Sequence, residues 1–289
     1  MLWLTGEQRG VVYAIASGML FGLLGYFGVT LMHAHLSIYT MLFWRFVVGA
    51  LAVGMLLVPQ YKTLFHAPKE LLKITLYGIL FYSPTAILYF MACKYIGTGL
   101  AMATFFVYPV IVILLNKILY NTIVPRIYYG IVVLMMVGMI LLADIETENF
   151  DCCGLLLGLA SALTYSFYVI LSKKSDVAPL PSTLMVSIGC IVTCFCAALY
   201  EGSLFVPQGI DVWIKIVGVG LLCTALPMLL LLKALKYISS EKASLLSVLE
   251  PIFVLIFGVL LLEETITLLQ VVGIVIVLCG ALMTFGKKK

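Results

Sequence analysis

The sequence predicts an all-α integral membrane protein of ten transmembrane helices, arranged as two inverted five-helix repeats. Three observations predict it. The chain of 289 residues is 64% hydrophobic and 10% charged, with a mean hydropathy of +1.20, whereas a soluble domain is about half apolar and about a quarter charged. Its apolar runs are each about 18–24 residues long, and at a rise of about 1.5 Å per residue each spans a hydrocarbon core of about 30 Å. The first half also recurs in the second: Lys94-Tyr95-Ile96 returns as Lys236-Tyr237-Ile238, Ala101 as Ala243, and Tyr108-Pro109 as Glu250-Pro251.

In chain order the runs cover 10–32, 37–58, 71–92, 97–119, 126–143, 153–171, 181–200, 212–235, 239–262 and 266–285. The first is too long for the apolar core of a signal peptide and lacks a following small-residue cleavage site, so it reads as a retained helix. Five runs per half make the second copy enter the membrane from the opposite side, which inverts the repeat. The halves divide as 1–145 and 146–289. Gly10 matches Gly154, Ala16-Ser17 matches Ala160-Ser161, and Phe21 matches Tyr165.

Lysine and arginine set the orientation, because cytoplasmic loops retain positive charge. With the N-terminus inside, only Lys94 and Lys215 of the 17 basic residues fall on the outer side and Arg45 lies within the second helix. The acidic loop holding Asp144, Glu146, Glu148 and Asp151 then faces outward, and both termini are cytoplasmic. Topology alone accounts for the basic residues, including the tail at 287–289, better than nucleic-acid or anionic-lipid recognition does. Of the eight cysteines, Cys93, Cys190, Cys194, Cys196, Cys223 and Cys279 sit in apolar runs, where cysteine acts as a small hydrophobe. Cys152 and Cys153 lie in a polar loop, with no neighbours to complete a metal ligand set.

Four of the ten prolines lie deep in the apolar runs: Pro84, Pro109, Pro227 and Pro251, in helices three, four, eight and nine. Each removes a hydrogen bond to the carbonyl four residues back, so Leu80, Phe105, Cys223 and Ser247 need other partners. In hydrocarbon such groups persist only against protein or a watery cavity. Paired breaks near the midplane of both halves point to a transporter binding site, although kinking for packing alone gives the same pattern.

Glu250, halfway along the ninth helix, costs at least about 2.5–3.5 kcal/mol at the bilayer centre unless paired or hydrated. On a helical wheel Ser244, Ser247, Glu250, Pro251, Val254 and Gly258 share one face, and the matching face of the fourth helix carries Met102, Phe105, Tyr108, Pro109, Val112 and Asn116. One wall is small and polar with a carboxylate; the other is aromatic. Such a cavity suits a small ligand with an apolar or aromatic body and a cationic or hydrogen-bonding head. Two readings stand side by side: a packing residue tied to Tyr108 or a neighbouring serine, and a ligand or proton site. Tyr165, Tyr168 and Phe21 bring aromatics toward the same centre, and Tyr82 and Thr224 supply hydroxyls beside the breaks. Arg45 is expected to snorkel toward the outer third of the membrane, and Gly18, Gly22, Gly25 and Gly28 to form a close-packing stripe.

The stretch LEPIFVLIFGVLLLEE, followed by the glycine-rich VVGIVIVLCGALM, resembles the second half of an EamA-type member of the drug/metabolite transporter superfamily. Trp44-Arg45-Phe46 and Tyr108-Pro109-Val110 are similar to features of the family's first half. The resemblance implies ten helices with both ends cytoplasmic, a central cavity lined by helices one, three, four, six, eight and nine, and alternating access. Family members move amino acids, aromatic metabolites, nucleobases, S-adenosylmethionine, quaternary amines or drugs. Where the family's first unit often carries an acidic residue, like Glu263 or Glu264 of the second, this chain reads Asn116-Lys117 through Asn121. The halves are thus electrically unlike, which argues against a symmetric ion-coupling role.

The expected function is therefore secondary transport of a small organic metabolite, amino acids and derivatives first. The alternative is uptake or exchange of a cationic or nucleobase-like solute such as a quaternary amine, S-adenosylmethionine or a purine. A membrane-embedded enzyme lacks the motifs it would need: the three histidines His33, His35 and His66 lie in loops, and no HExxH, nucleophile-elbow or Walker A pattern is present. A lipid-handling protein would not need a buried glutamate opposite aromatics. No cofactor or metal is expected, while proton coupling is compatible with Glu250 because burial favours the neutral acid. The expected partners are the small-molecule substrate and the lipid bilayer, without nucleic acid; a monomer is compatible with the sequence, which does not set oligomeric state. Short loops without targeting extensions favour a bacterial inner membrane.

Overall fold

Backbone polar groups in hydrocarbon must be bonded internally, and among the described residues the chain meets this requirement with helices alone. The computed structural model describes residues 5–32, 36–59, 68–142, 151–263 and 265–284, with the backbone alone at 25, 29, 32 and 262. In order come α1 (Gly6–Met32), α2 (Ile38–Leu57), α3 (Pro68–Tyr77), a π-helical turn (Gly78–Tyr82), α4 (Ser83–Phe105), α5 (Tyr108–Tyr120), α6 (Arg126–Leu142), α7 (Cys152–Lys174), α8 (Pro179–Glu201), α9 (Ile210–Gly220), a second π-helical turn (Leu221–Ala225), α10 (Leu226–Tyr237), α11 (Ser240–Ser247), α12 (Glu250–Leu262) and α13 (Leu268–Met283). The expected acidic loop at Asp144, Glu146 and Glu148, the histidines His33, His35 and His66, Glu264 and the tail at 287–289 lie outside the described residues.

Among the described residues, seven helical stretches are long and apolar enough to cross a membrane, and three shorter apolar helices, Tyr108–Tyr120, Arg126–Leu142 and Leu268–Met283, accompany them. The stretch Pro68–Phe105 turns at Gly97, whose φ of 72° and ψ of 165° are non-helical. A positive φ is open to glycine at little steric cost, so the backbone can leave the helix at this residue, where the run expected at 97–119 begins. The surface is inverted relative to a water-soluble protein. Leu51, Met55, Ile118, Leu156 and Leu260 point outward, while Ser17, Thr40, Ser83, Ser161, Ser187 and Thr224 are buried inside. Lipid is a good solvent for the first set, and polar groups find hydrogen bonds only within the protein.

The four membrane prolines each follow an interruption. The π-helical turns end just before Pro84 and Pro227. Turns at Phe106–Val107 and Val248–Leu249 precede Tyr108-Pro109 and Glu250-Pro251, so α5 and α12 each carry proline in their first turn. The expected continuous helix over 239–262 is thereby corrected to two half-helices, because Pro251 withholds the N–H that would carry the ladder across. Glu250 accordingly stands at the N-terminus of α12, where the backbone dipole favours negative charge.

Close contacts recur in matching places. A Cβ on Gly10 would sit 2.8 Å from Tyr237 Cβ and from Ile238 Cγ2, and a Cβ on Gly154 would sit 2.7 Å from Tyr95 Cβ and 2.5 Å from Ile96 Cγ2. Ser17 donates to the Pro227 carbonyl at 2.7 Å and Ser161 to the Thr85 carbonyl at 2.8 Å. α1 packs on α10 and α12, as α7 packs on α4 and α5. The glycine stripe of α1 is a contact surface: Gly18 faces the backbone of Glu250, Gly22 faces Phe253 and Gly28 faces Phe90; the surroundings of Gly25 lie outside the described residues. A Cβ on Gly22 would stand 2.6 Å from Phe253 Cβ, so α12 must move to admit one. Gly22→Leu is expected to cost about 1–3 kcal/mol, the range for overpacking. A lowered unfolding midpoint in detergent checks this; an unchanged midpoint would mean that α1 and α12 slide freely.

Two cysteine placements differ from expectation. Cys152 and Cys153 open α7 rather than lying in a loop, because the Asp151 side chain caps the helix by accepting from the Cys153 N–H at 2.6 Å. Cys93, Cys190, Cys194 and Cys223 are buried, and Cys196 and Cys279 are exposed on the apolar outside.

Candidate functional site

The two halves of the chain bring opposite charges to the centre. Arg45 sits on α2 and Glu250 at the start of α12, and the carboxylate lies within electrostatic reach of the guanidinium. Among the described residues, Glu250 is partly buried, accepts no hydrogen bond and has no cation within 4.0 Å. It shares its surroundings with Tyr82, Tyr89, Tyr108, Tyr165 and Cys223.

Arg45 overturns the expectation of snorkelling. It is only 3% exposed, and its head is fixed on the second π-helical turn. Nε donates to Thr224 Oγ1 at 2.6 Å, and Nη2 reaches the Cys223 carbonyl at 3.5 Å. That carbonyl is the one Pro227 leaves unbonded, so the guanidinium answers a vacancy created by the proline. Thr224 Oγ1 in turn donates to the Val219 carbonyl of α9 at 2.9 Å. Snorkelling lowers the free energy of a long cation only when no nearer partner exists, and here the π-helical turn supplies two.

The aromatic residues form one continuous cluster. Tyr165 of α7 stands at its hub, with ring centroids 4.8 Å from Tyr108, 5.4 Å from Phe105, 6.3 Å from Tyr82 and 5.9 Å from Tyr168. Tyr82 and Tyr168 meet edge to face at 4.7 Å, and Tyr89 meets Phe105 at 5.5 Å. Edge-on pairs at these distances are the favoured arrangement for rings with a negative face and a positive rim. Of the walls expected from helical wheels, α11 meets α5, whereas α12 packs on α1. The Tyr108 hydroxyl donates to the Ser244 carbonyl at 3.2 Å and lies beside the Ser247 side chain. Tyr108 therefore satisfies α11 and leaves the Glu250 carboxylate without it, against the reading that tied the two together. Ser244 and Ser247 bond back into their own helix, to the Glu241 carbonyl at 2.9 Å and the Ala243 carbonyl at 3.1 Å.

Of the expected residues, Phe105, Tyr108, Tyr165, Tyr168, Tyr82, Thr224, Ser244, Ser247 and Glu250 converge. Phe21 is buried on α1 but makes no ring contact with the cluster among the described residues. Tyr89 went unnoticed in the sequence, although Tyr82, Thr85, Tyr89 and Cys93 share the spacing of one helical face. Arg45 was also legible: the energetic argument that flags a mid-membrane glutamate applies equally to a mid-membrane arginine. Asn116 does not reach the centre. It donates to Glu241 Oε1 at 2.6 Å and Ser240 Oγ at 2.8 Å, joining α5 to α11 near the end where Lys242 pairs with Glu7 at 2.6 Å. Asn121 and Glu263 both end their helices in the left-handed conformation, with φ of 49° and 57°, so the electrically unlike positions are structurally alike. No group of three His, Cys, Asp or Glu side chains is placed to hold a metal among the described residues.

The description "EamA-like transporter family" matches this chain twice, over residues 8–143 and 153–286. The chain belongs to the EamA-like transporter family. It is a multi-pass membrane protein, and the relatives it resembles are transporters rather than enzymes. "Uncharacterized transporter YxxF" of Bacillus subtilis is 23% identical over 291 residues, covering 98% of this chain and 91% of that protein. An uncharacterized transporter of Archaeoglobus fulgidus is 25% identical over 292 residues, covering 99% of each. A crystal structure of a further protein superposes with a TM-score of 0.80 at 16% identity, covering 95% of each chain; at that identity the likeness concerns the fold alone. Within this EamA-like frame the paired matches fall on the two halves that contribute Arg45 and Glu250.

Proposed function

We propose that this EamA-like protein is a secondary transporter that carries a small organic metabolite, an amino acid or derivative first, by alternating access through a site between two inverted five-helix repeats. The repeats are residues 1–145 and 146–289. The observation that carries the reading is Glu250: a carboxylate without a hydrogen-bond partner among the described residues, at the start of a half-helix and walled by tyrosines. A mid-membrane acid in that state is costly, and a bound solute that pairs with it offsets the cost.

The matching contacts of Gly10 and Gly154, the matched π-helical turns and the matched half-helices support the repeat. The turn at Gly97 supports counting ten membrane helices. Breaks at Pro84, Pro109, Pro227 and Pro251 serve as hinges, because a helix lacking ladder bonds bends there at low cost. For orientation, Glu7 and Lys242 pair at the same end where Lys173 donates to the Leu235 carbonyl and Lys236 to the Ser175 carbonyl. Trp44 and Trp213, 5.1 Å apart, mark the other end beside Phe205. Basic residues on one side and tryptophans at the interface favour cytoplasmic termini in a bacterial inner membrane. The cycle needs no cofactor, and proton coupling would run through Glu250.

A second reading is a cationic or nucleobase-like solute. The carboxylate among aromatic rings favours it, since cations are held over ring faces. Counterflow in proteoliposomes tests both: liposomes loaded with one member of a panel of amino acids, quaternary amines and purines take up its labelled form. Saturable exchange of one class is expected. Exchange of none would overturn the transport reading.

A further inference from the structure

Two buried polar side-chain atoms lack a hydrogen-bond partner among the described residues: Arg45 Nη1 and the Tyr168 hydroxyl. Tyr82 connects the two, and the Tyr168 hydroxyl lies beside the Ser172 side chain. Tyr82 lies beside the Arg45 guanidinium and packs edge to face on Tyr168 at 4.7 Å, and Cys190 adjoins all three. Arg45 and Tyr168 are 3% and 0% exposed. Leaving a buried donor unmatched is unfavourable, and it is worse for a charged one. Nε and Nη2 of Arg45 each have a partner, at Thr224 and at the Cys223 carbonyl, which fixes the plane of the guanidinium and with it the direction of Nη1.

We propose that Arg45 Nη1 and the Tyr168 hydroxyl form an anionic-oxygen subsite, so that the transported solute presents a carboxylate here and a cationic group to Glu250. The inference rests on the transport reading above. Both unmatched atoms can donate, and a carboxylate accepts from two donors at once. The charge balance points the same way. Arg45 and Glu250 are the ionic groups facing this centre among the described residues, and a zwitterion matches both while leaving the low-dielectric interior neutral. A simple cation would match Glu250 and leave Arg45 unanswered. The crossing that carries Arg45 against Gly220 has Val186 against Gly78 in the other half, so the subsite exists once and gives the solute a single polarity across the site. The aromatic cluster between the two charges accommodates an apolar or aromatic body.

The test uses three probes of one shape in counterflow: L-phenylalanine, its amide, which keeps only the cation, and 3-phenylpropanoate, which keeps only the anion. The parent is expected to prefer L-phenylalanine over both by at least about tenfold, since a site built for a polar group rejects the analogue lacking it. Arg45→Gln should abolish the preference over the amide and retain the preference over 3-phenylpropanoate; Glu250→Gln should do the reverse. Arg45→Lys, which keeps the charge in the buried position, should restore part of the first preference. Tyr168→Phe should weaken the same preference severalfold with little loss of thermal stability, because the hydroxyl it removes lies beside Ser172 without completing a hydrogen bond among the described residues; a merely structural tyrosine would leave the preference unmoved. A parent that exchanges the amide as well as the amino acid overturns the subsite, as does an Arg45→Gln variant with the parental preference. Exchange of tetraethylammonium but of none of the three probes overturns the subsite and leaves transport standing. Exchange of neither overturns both.

Discussion

Glu250→Gln is expected to reduce saturable counterflow by at least about thirtyfold, with the protein still folded. The change is isosteric and removes only the charge. Losing one member of a desolvated charge pair typically costs about 2–5 kcal/mol, and about 1.4 kcal/mol corresponds to tenfold. Gly18 meets the backbone of Glu250 rather than its carboxylate, and Tyr108 donates elsewhere, so glutamine disturbs no hydrogen bond seen among the described residues. Elution as a monodisperse species with a parental unfolding midpoint, together with lost exchange, is the expected pair of results. Parental flux in the variant would remove Glu250 from the solute site and return it to a packing role.

Thr224→Val is expected to act mainly on stability. The threonine hydroxyl accepts from Arg45 Nε at 2.6 Å and donates to the Val219 carbonyl at 2.9 Å, and valine has the same shape with neither function. Each buried group left unmatched costs about 1–3 kcal/mol, more where it is charged, against about 0.6 kcal/mol for an average side-chain bond in a membrane protein. A fall of at least about 2 kcal/mol in reversible unfolding follows if the charged donor controls the outcome. Thr224→Ser retains both bonds and should stay close to the parent. If valine is tolerated as well as serine, Arg45 is held by its other contacts, and the π-helical turn does not depend on it.

Much of the architecture is legible in the chain. Hydropathy is a property of each residue, so apolar runs announce membrane helices without reference to any neighbour. Proline lacks its N–H wherever it stands, so the interruptions before Pro84, Pro109, Pro227 and Pro251 follow locally. The recurrence of Lys-Tyr-Ile and of the residue-proline pairs marks two related halves in the same way. Glu250, Tyr108, Tyr165 and Tyr82 could be named because polar and aromatic residues in a membrane helix are few, and each demands an explanation.

Partnership was beyond the chain's own order. Whether Arg45 runs to the interface or turns inward depends on what the π-helical turn between α9 and α10 presents to α2, in residues some 180 positions away. Tyr108 chose the Ser244 carbonyl over the Glu250 carboxylate because α11 and α12 are separate half-helices, which places the serine within reach of its hydroxyl. The two unmatched donors at Arg45 and Tyr168 are visible only once the other buried side-chain polar atoms among the described residues have been paired. Membership of a helix is written in local covalent chemistry; the pairing of buried polar groups is decided by which helices pack together.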